Sequence, residues 1–69
     1  MELSTRNFLK GTVKNLTVGV VNSEVTIEVA PGVEIAAVIT KASSERLGLA
    51  VGKEVYAAIK ASDVIVAVD

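Results

Sequence analysis

Sixty-nine residues make one domain at most, and a chain this short buries only about 60% of the surface its unfolded form exposes. It has no cysteine and no histidine, which excludes disulfide staples and zinc clusters, and a net charge of −1 leaves no basic excess to hold a phosphate backbone. The apolar fraction is 51%, with Phe8 and Tyr56 the only aromatics, and an apolar surplus on so small a domain is expected to lie partly in subunit interfaces.

The chain opens on Ser4-Thr5-Arg6-Asn7, two hydroxyls, a guanidinium and a carboxamide in a row. From Phe8 to Val20 a strand is expected, but its phase slips. Leu9, Gly11 and Val13 share one face, whereas Leu16, Val18 and Val20 share the other. A slip of one residue near Asn15 predicts a bulge or sharp bend, and Gly11 and Gly19 suit bending or close backbone approach. Glu24 to Val29 alternates strictly between polar and apolar residues, the pattern of a half-buried strand. Pro31-Gly32 then predicts a type II-like turn, and Val33 to Thr40 returns as the second arm of a hairpin.

Lys41 to Gly48 is the one helical candidate, with Thr40 or Ser43 as its cap. Gly48 is placed to end it in a left-handed conformation, with Leu47 and Leu49 facing the core. Gly52 marks another turn. Lys53 to Ala61 and Asp63 to Val68 are expected as the last two strands. Val64 to Val68 is apolar on both faces, so that strand needs cover on two sides. The predicted class is therefore all-β with one short helix. Five strands with a helix between the third and fourth is the order of the OB-like five-stranded barrel. No apolar stretch is long enough to span a bilayer and no signal peptide is apparent, so a cytoplasmic protein without membrane contact is expected.

Chemistry has few carriers in this chain. General acid–base catalysis draws most often on histidine, and no nucleophile–base constellation is visible, so no enzyme is expected. Glu24, Glu28, Glu34 and Glu54 sit at alternating strand positions and read as a solvated face; no acidic cluster suggests a metal cation. Two segments stand out: Ser4-Thr5-Arg6-Asn7, and Lys60-Ala61-Ser62-Asp63 between the last two expected strands. Each joins a cation to hydroxyls and turn-type N–H groups. A tetrahedral oxyanion only accepts hydrogen bonds, so a site for it must be built of donors such as these. From spacing alone, Ser62-Asp63 also fits an ordinary turn and Arg6 an ordinary surface charge.

The stretch Ser4-Thr5-Arg6-Asn7-Phe8-Leu9-Lys10-Gly11-Thr12-Val13 resembles the S-A-R-N-x-L-x-G-x-V opening of the molbindins, the small molybdate-binding Mop proteins. Val55 to Val64 is similar to their close, V-x-A-x-I-K followed by a small residue, a hydroxyl residue, an acid and valine. Leu47-Gly48-Leu49 and Gly52 also fall at the family's spacing, and Thr5 replaces a common alanine. The resemblance covers essentially the whole chain as a single Mop domain, residues 1–69. It implies an OB-like barrel that pairs through exchanged or shared strands, three pairs forming a homohexamer. Molybdate or tungstate would be bound at subunit interfaces, with no organic cofactor, for intracellular molybdenum storage or homeostasis. Thr5, Arg6 and Asn7 of one chain would face Lys60, Ala61 and Ser62 of a neighbour. Ser4, Thr5 and Ser62 would supply hydroxyls, and Arg6, Ala61 and Ser62 backbone N–H groups. A second oxyanion site near a threefold axis would fall at Val18-Gly19-Val20, where Gly19 reads equally well as a bend.

Two other functions compete. A nucleic-acid-binding OB domain is disfavoured by the near-neutral charge and by the lack of an aromatic stacking platform. A purely structural oligomerisation module would share the apolar surplus and bind no anion.

Overall fold

The computed structural model describes residues 6–69. Strand β1 spans Asn7–Val18, β2 Asn22–Ala30, β3 Val33–Thr40 and β4 Glu54–Ile59, with helix α1 at Lys41–Arg46 between β3 and β4. All pairings are antiparallel, in the order β3-β2-β1-β4. A single 3-10 turn, Ala61–Asp63, follows β4.

The alternation in β2 decides which face is buried. Ser23, Val25 and Ile27 are buried, and Val25 and Ile27 pack with Val13 of β1 and Ala57 of β4. The bulge falls where the phase slip places it: Val13 pairs with Ile27 and Asn15 with Thr26, leaving Lys14 as the extra residue. That insertion lets Leu16 rejoin the core after Val13 despite the odd spacing. Pro31 and Gly32 form the β2–β3 turn, and Gly32 holds φ +75°, which a side chain would strain. Thr40 caps α1 by accepting from the Ser43 N–H at 3.0 Å, and Gly48 follows the helix at φ +63°.

A buried hydroxyl pair holds α1 against the sheet. The Oγ atoms of Ser23 and Ser44 lie 3.1 Å apart, both shielded from water. The Ser44 hydroxyl donates to the Lys41 carbonyl at 2.7 Å. A serine has one proton to give, so the proton between the two serines comes from Ser23.

Some expectations are corrected. The fifth strand does not form: Asp63 closes the 3-10 turn, and Val64–Asp69 lies outside the sheet, with Ile65 and Val68 each 92% exposed. Its two apolar faces need cover on both sides, and the four strands of one chain provide none. The four strands of the described residues form a sheet with β3 and β4 at its edges. β1 stops at Val18, short of Val20, and β4 is trimmed to Glu54–Ile59 by the turns around it. Leu47 faces solvent instead of the core, because the helix ends one residue before it; Leu49 does pack against the core.

Candidate oxyanion site

The β1–β4 register places the two unusual segments together. Asn7 pairs with Ile59 as the last rung of that ladder, and Arg6 and Lys60 are the residues that flank this rung in sequence. The described parts of both segments thus lie at one end of a single chain's ladder. Ser4 and Thr5 lie outside the described residues.

Arg6 and Lys60 are both exposed, and neither takes part in the ion pairs formed among the described residues. Lys60 is extended (φ −63°, ψ 131°) and leads into the 3-10 turn. Within the turn the Asp63 N–H donates to the Lys60 carbonyl at 2.9 Å, and the Val64 N–H donates to Ala61 at 3.3 Å. The first N–H groups of a helical turn, here those of Ala61 and Ser62, have no acceptor inside it. Ala61 and Ser62 are exposed, as is Asp63 at the turn's far end. Asn7 is half-buried at the base of the site. The arrangement offers two cations, a hydroxyl and turn amides at one place, the donor set that an acceptor-only ion requires.

The Val18-Gly19-Val20 segment has different geometry. The Gly19 N–H donates to the Asn22 carbonyl at 2.8 Å, and a Cβ at Gly19 would stand 2.6 Å from that oxygen. Gly19 is thus required for the tight β1–β2 connection, and its amide is already engaged. The bend reading accounts for it.

The carboxylates are more organised than a solvated face. Glu28 and Glu34 stand directly opposite each other in the β2–β3 register, an arrangement that repels. Lys14, turned out by its bulge, bridges them at 3.3 and 2.7 Å. Lys10 pairs with Glu54 at 3.1 Å. Hydrogen bonding to Glu34 and then Glu28 raises the Lys14 pKa, and bonding to Glu54 raises that of Lys10. The register also unites the two aromatics. Phe8 and Tyr56 stack with centroids 4.9 Å apart and planes within 6°. The sequence analysis notes them only as the two aromatics of the chain and expects no stacking platform. Their shared outward phase on β1 and β4 was the available signal, but it acquires meaning only once the strands are known to pair.

The pattern of the TOBE domain family matches residues 3–66. The chain belongs to the TOBE domain family, among the Mop proteins. It is 54% identical over 65 residues to the molybdenum transport protein ModE of Azotobacter vinelandii, covering 94% of this chain and 24% of ModE. This TOBE chain thus spans about a quarter of that relative's length. Among solved structures, MopII from Clostridium pasteurianum superposes with a TM-score of 0.90 at 42% identity, over 97% of this chain and all of MopII. The cytoplasmic molybdate-binding protein ModG, solved with molybdate bound, matches with a TM-score of 0.84 at 51% identity, over 88% of this chain and 43% of ModG. The OB-like fold of this Mop domain follows from those neighbours together with its mostly β, one-helix architecture. Among the described residues no helix is long and apolar enough to cross a membrane.

Proposed function

We propose that this Mop domain binds molybdate, and tungstate in its place, as a cytoplasmic store that buffers molybdenum rather than as a catalyst. The observation that supports the reading is that Arg6 and Lys60, both exposed, flank the last rung of the β1–β4 ladder, with Ala61 and Ser62 opening the 3-10 turn next to Lys60. Ser4, Thr5, Asn7 and the Ser62 hydroxyl complete the donor set. ModG, half of it similar to this chain, is a molybdate-binding protein, which supports the same ligand class here. Size and charge barely separate molybdate from tungstate, so a rigid ring of donors accepts both.

We further propose assembly into a homohexamer built as a trimer of dimers. Val20, Ile65, Val66 and Val68 are each 86–92% exposed on the single chain, and an apolar surface of that kind is usually covered by another subunit. No role for nucleic acid or for an organic cofactor is needed.

Titration calorimetry tests the ligand. Charge-assisted hydrogen bonds contribute roughly 1.5–3 kcal/mol each. Arg6→Ala and Lys60→Ala should therefore each weaken molybdate binding about ten- to a hundredfold. Molybdate and tungstate should bind more tightly than sulfate, whose smaller radius fits the same donors less well. Unchanged affinity in both variants would move the site elsewhere, and no binding of any oxyanion would leave the structural-module function.

A further inference from the structure

The β1–β4 ladder has two unlike ends. Its rungs run from Thr12–Glu54 to Asn7–Ile59, and β4 is an edge strand whose neighbour in the sheet is β1. Toward the first end, Val13 and Ala57 belong to the core and Val55 packs against it. The core stops at the Leu9–Ala57 rung: Phe8, Ala58, Asn7 and Ile59, which form the last two rungs, are not part of it. Arg6 and Lys60 flank the last of these, so the two cations adjoin a stretch of ladder that core burial does not fix. Terminal backbone pairing with few buried apolar contacts opens at little cost. The outer face supplies a contact where the core has ended. Phe8 stands opposite Ala58 and Tyr56 opposite Lys10, which sets the two rings diagonally across the strands, within reach of each other. They stack with centroids 4.9 Å apart and planes 6° from parallel. Tyr56 lies between Val55 and Ala57, which the core holds, so the stack ties the second-last rung to an anchored part of β4. The Lys10–Glu54 ion pair lies toward the core end and is exposed, the kind of pair that contributes little. Phe8 and Tyr56 also stand at positions that the Mop pattern leaves open, so the stack is a feature of this chain.

We infer that the Phe8–Tyr56 stack is a clasp that positions Arg6 and Lys60 for the oxyanion, by holding the last rungs of the β1–β4 ladder closed. The rings act through the backbone. Phe8 fixes the strand end that carries Arg6, two residues away, and Tyr56 ties that end to the strand that leads into Lys60. A closed ladder end sets the two charges in place before the ion arrives; with the end open, binding must first order both strand ends. Neither ring has to touch the ion, so Phe8 and Tyr56 are positioning residues. The inference rests on the oxyanion reading for the ligand and adds the requirement that the ladder end be held.

The test titrates molybdate by calorimetry into the unsubstituted protein and into Phe8→Leu, Tyr56→Thr, Tyr56→Phe and Ser23→Ala. Phe8→Leu and Tyr56→Thr each remove the stack, the threonine keeping a side chain suited to a strand. Each should weaken molybdate about 2- to 10-fold, the range an aromatic pair can contribute. Tyr56→Phe keeps the stack and should bind as the unsubstituted protein does. Ser23→Ala lowers stability by a comparable amount at the opposite end of β1, where Ser23 pairs with Val18, and should also leave affinity in place. Amide hydrogen exchange at the Asn7–Ile59 rung should quicken in Phe8→Leu and Tyr56→Thr and stay unchanged in Tyr56→Phe. Phe8 and Tyr56 are the only aromatic residues of the chain, so nuclear Overhauser contacts between their rings test the clasp without any variant, should a substitution unfold the chain. Absence of those contacts overturns the inference. Undiminished affinity in both Phe8→Leu and Tyr56→Thr overturns it as well, and spares the oxyanion site if Arg6→Ala and Lys60→Ala still weaken binding. An equal loss in Ser23→Ala overturns it by showing a general effect of stability, and an equal loss in Tyr56→Phe by pointing to the hydroxyl. Failure of the unsubstituted protein to bind molybdate removes the oxyanion site together with the inference.

Discussion

Replacing Ser44 by alanine is expected to cost more stability than replacing Ser23, although both side chains belong to one hydrogen-bonded pair. The direction of the chain of hydroxyls is the reason. Ser23 donates to Ser44, and Ser44 donates to the Lys41 carbonyl at 2.7 Å. Ser23→Ala removes one bond and leaves Ser44 still donating, a loss of about 0.5–1.5 kcal/mol. Ser44→Ala removes the Lys41 bond, about 1 kcal/mol, and also strands the Ser23 hydroxyl, which has 0% exposure and no water to turn to. A buried donor without a partner costs about 1–3 kcal/mol, so the single change totals roughly 2–4 kcal/mol. Removing both hydroxyls abolishes the stranded donor, and the double variant should be more stable than Ser44→Ala by about 1 kcal/mol or more. For a domain of this size each kcal/mol moves Tm by about 4–8 °C. Thermal unfolding of the two single variants and the double variant at one fixed protein concentration measures the cycle, since assembly makes Tm concentration-dependent. Equal losses in the two single variants, or a double variant less stable than Ser44→Ala, would refute the assigned direction of donation.

The Lys10 and Lys14 pKa values are raised by their carboxylate partners, so the stability these pairs contribute is complete below the ordinary lysine value of 10.5 and is lost as pH rises through the elevated folded-state values. Urea midpoints measured from pH 8 to 12 should fall less steeply in a Lys10→Met/Lys14→Met variant; an unchanged alkaline slope would dismiss these pairs as a source of stability. Lys14→Met alone leaves Glu28 facing Glu34 with no cation between them, and the resulting loss at neutral pH should be partly recovered when Glu34 is also changed to Gln. Gly32→Ala meets no atom within 4 Å, so its cost is purely the φ of +75°, about 1–2 kcal/mol by chemical denaturation; no loss would mean the turn relaxes to another conformation. Removing residues 64–69 should preserve the circular dichroism of the sheet, which they do not join, while lowering the mass seen in sedimentation equilibrium. An unchanged mass would separate that segment from assembly.

Local signals were legible in the sequence because they depend on neighbours along the chain. Pro31-Gly32 specifies its turn through backbone sterics, Thr40 its cap through one side-chain oxygen, and the phase slip between Val13 and Leu16 its bulge through a period of two. The resemblance of both ends of the chain to the Mop pattern named the candidate residues, Arg6 and Lys60 among them, and implied that they face each other across two chains. That both flank the last rung of one chain's β1–β4 ladder is a matter of register. The Asn7–Ile59 rung joins segments from opposite ends of the chain, and it is chosen by which faces of β1 and β4 the core can bury, a property of the packed sheet that no short window contains. The Phe8–Tyr56 stack and the bridging of Glu28 and Glu34 by Lys14 follow from the same long-range choice. The final apolar run shows the converse. Val64 to Val68 has every local qualification for a strand, yet a strand exists only where another offers its hydrogen bonds and cover, and within the described residues of one chain none does.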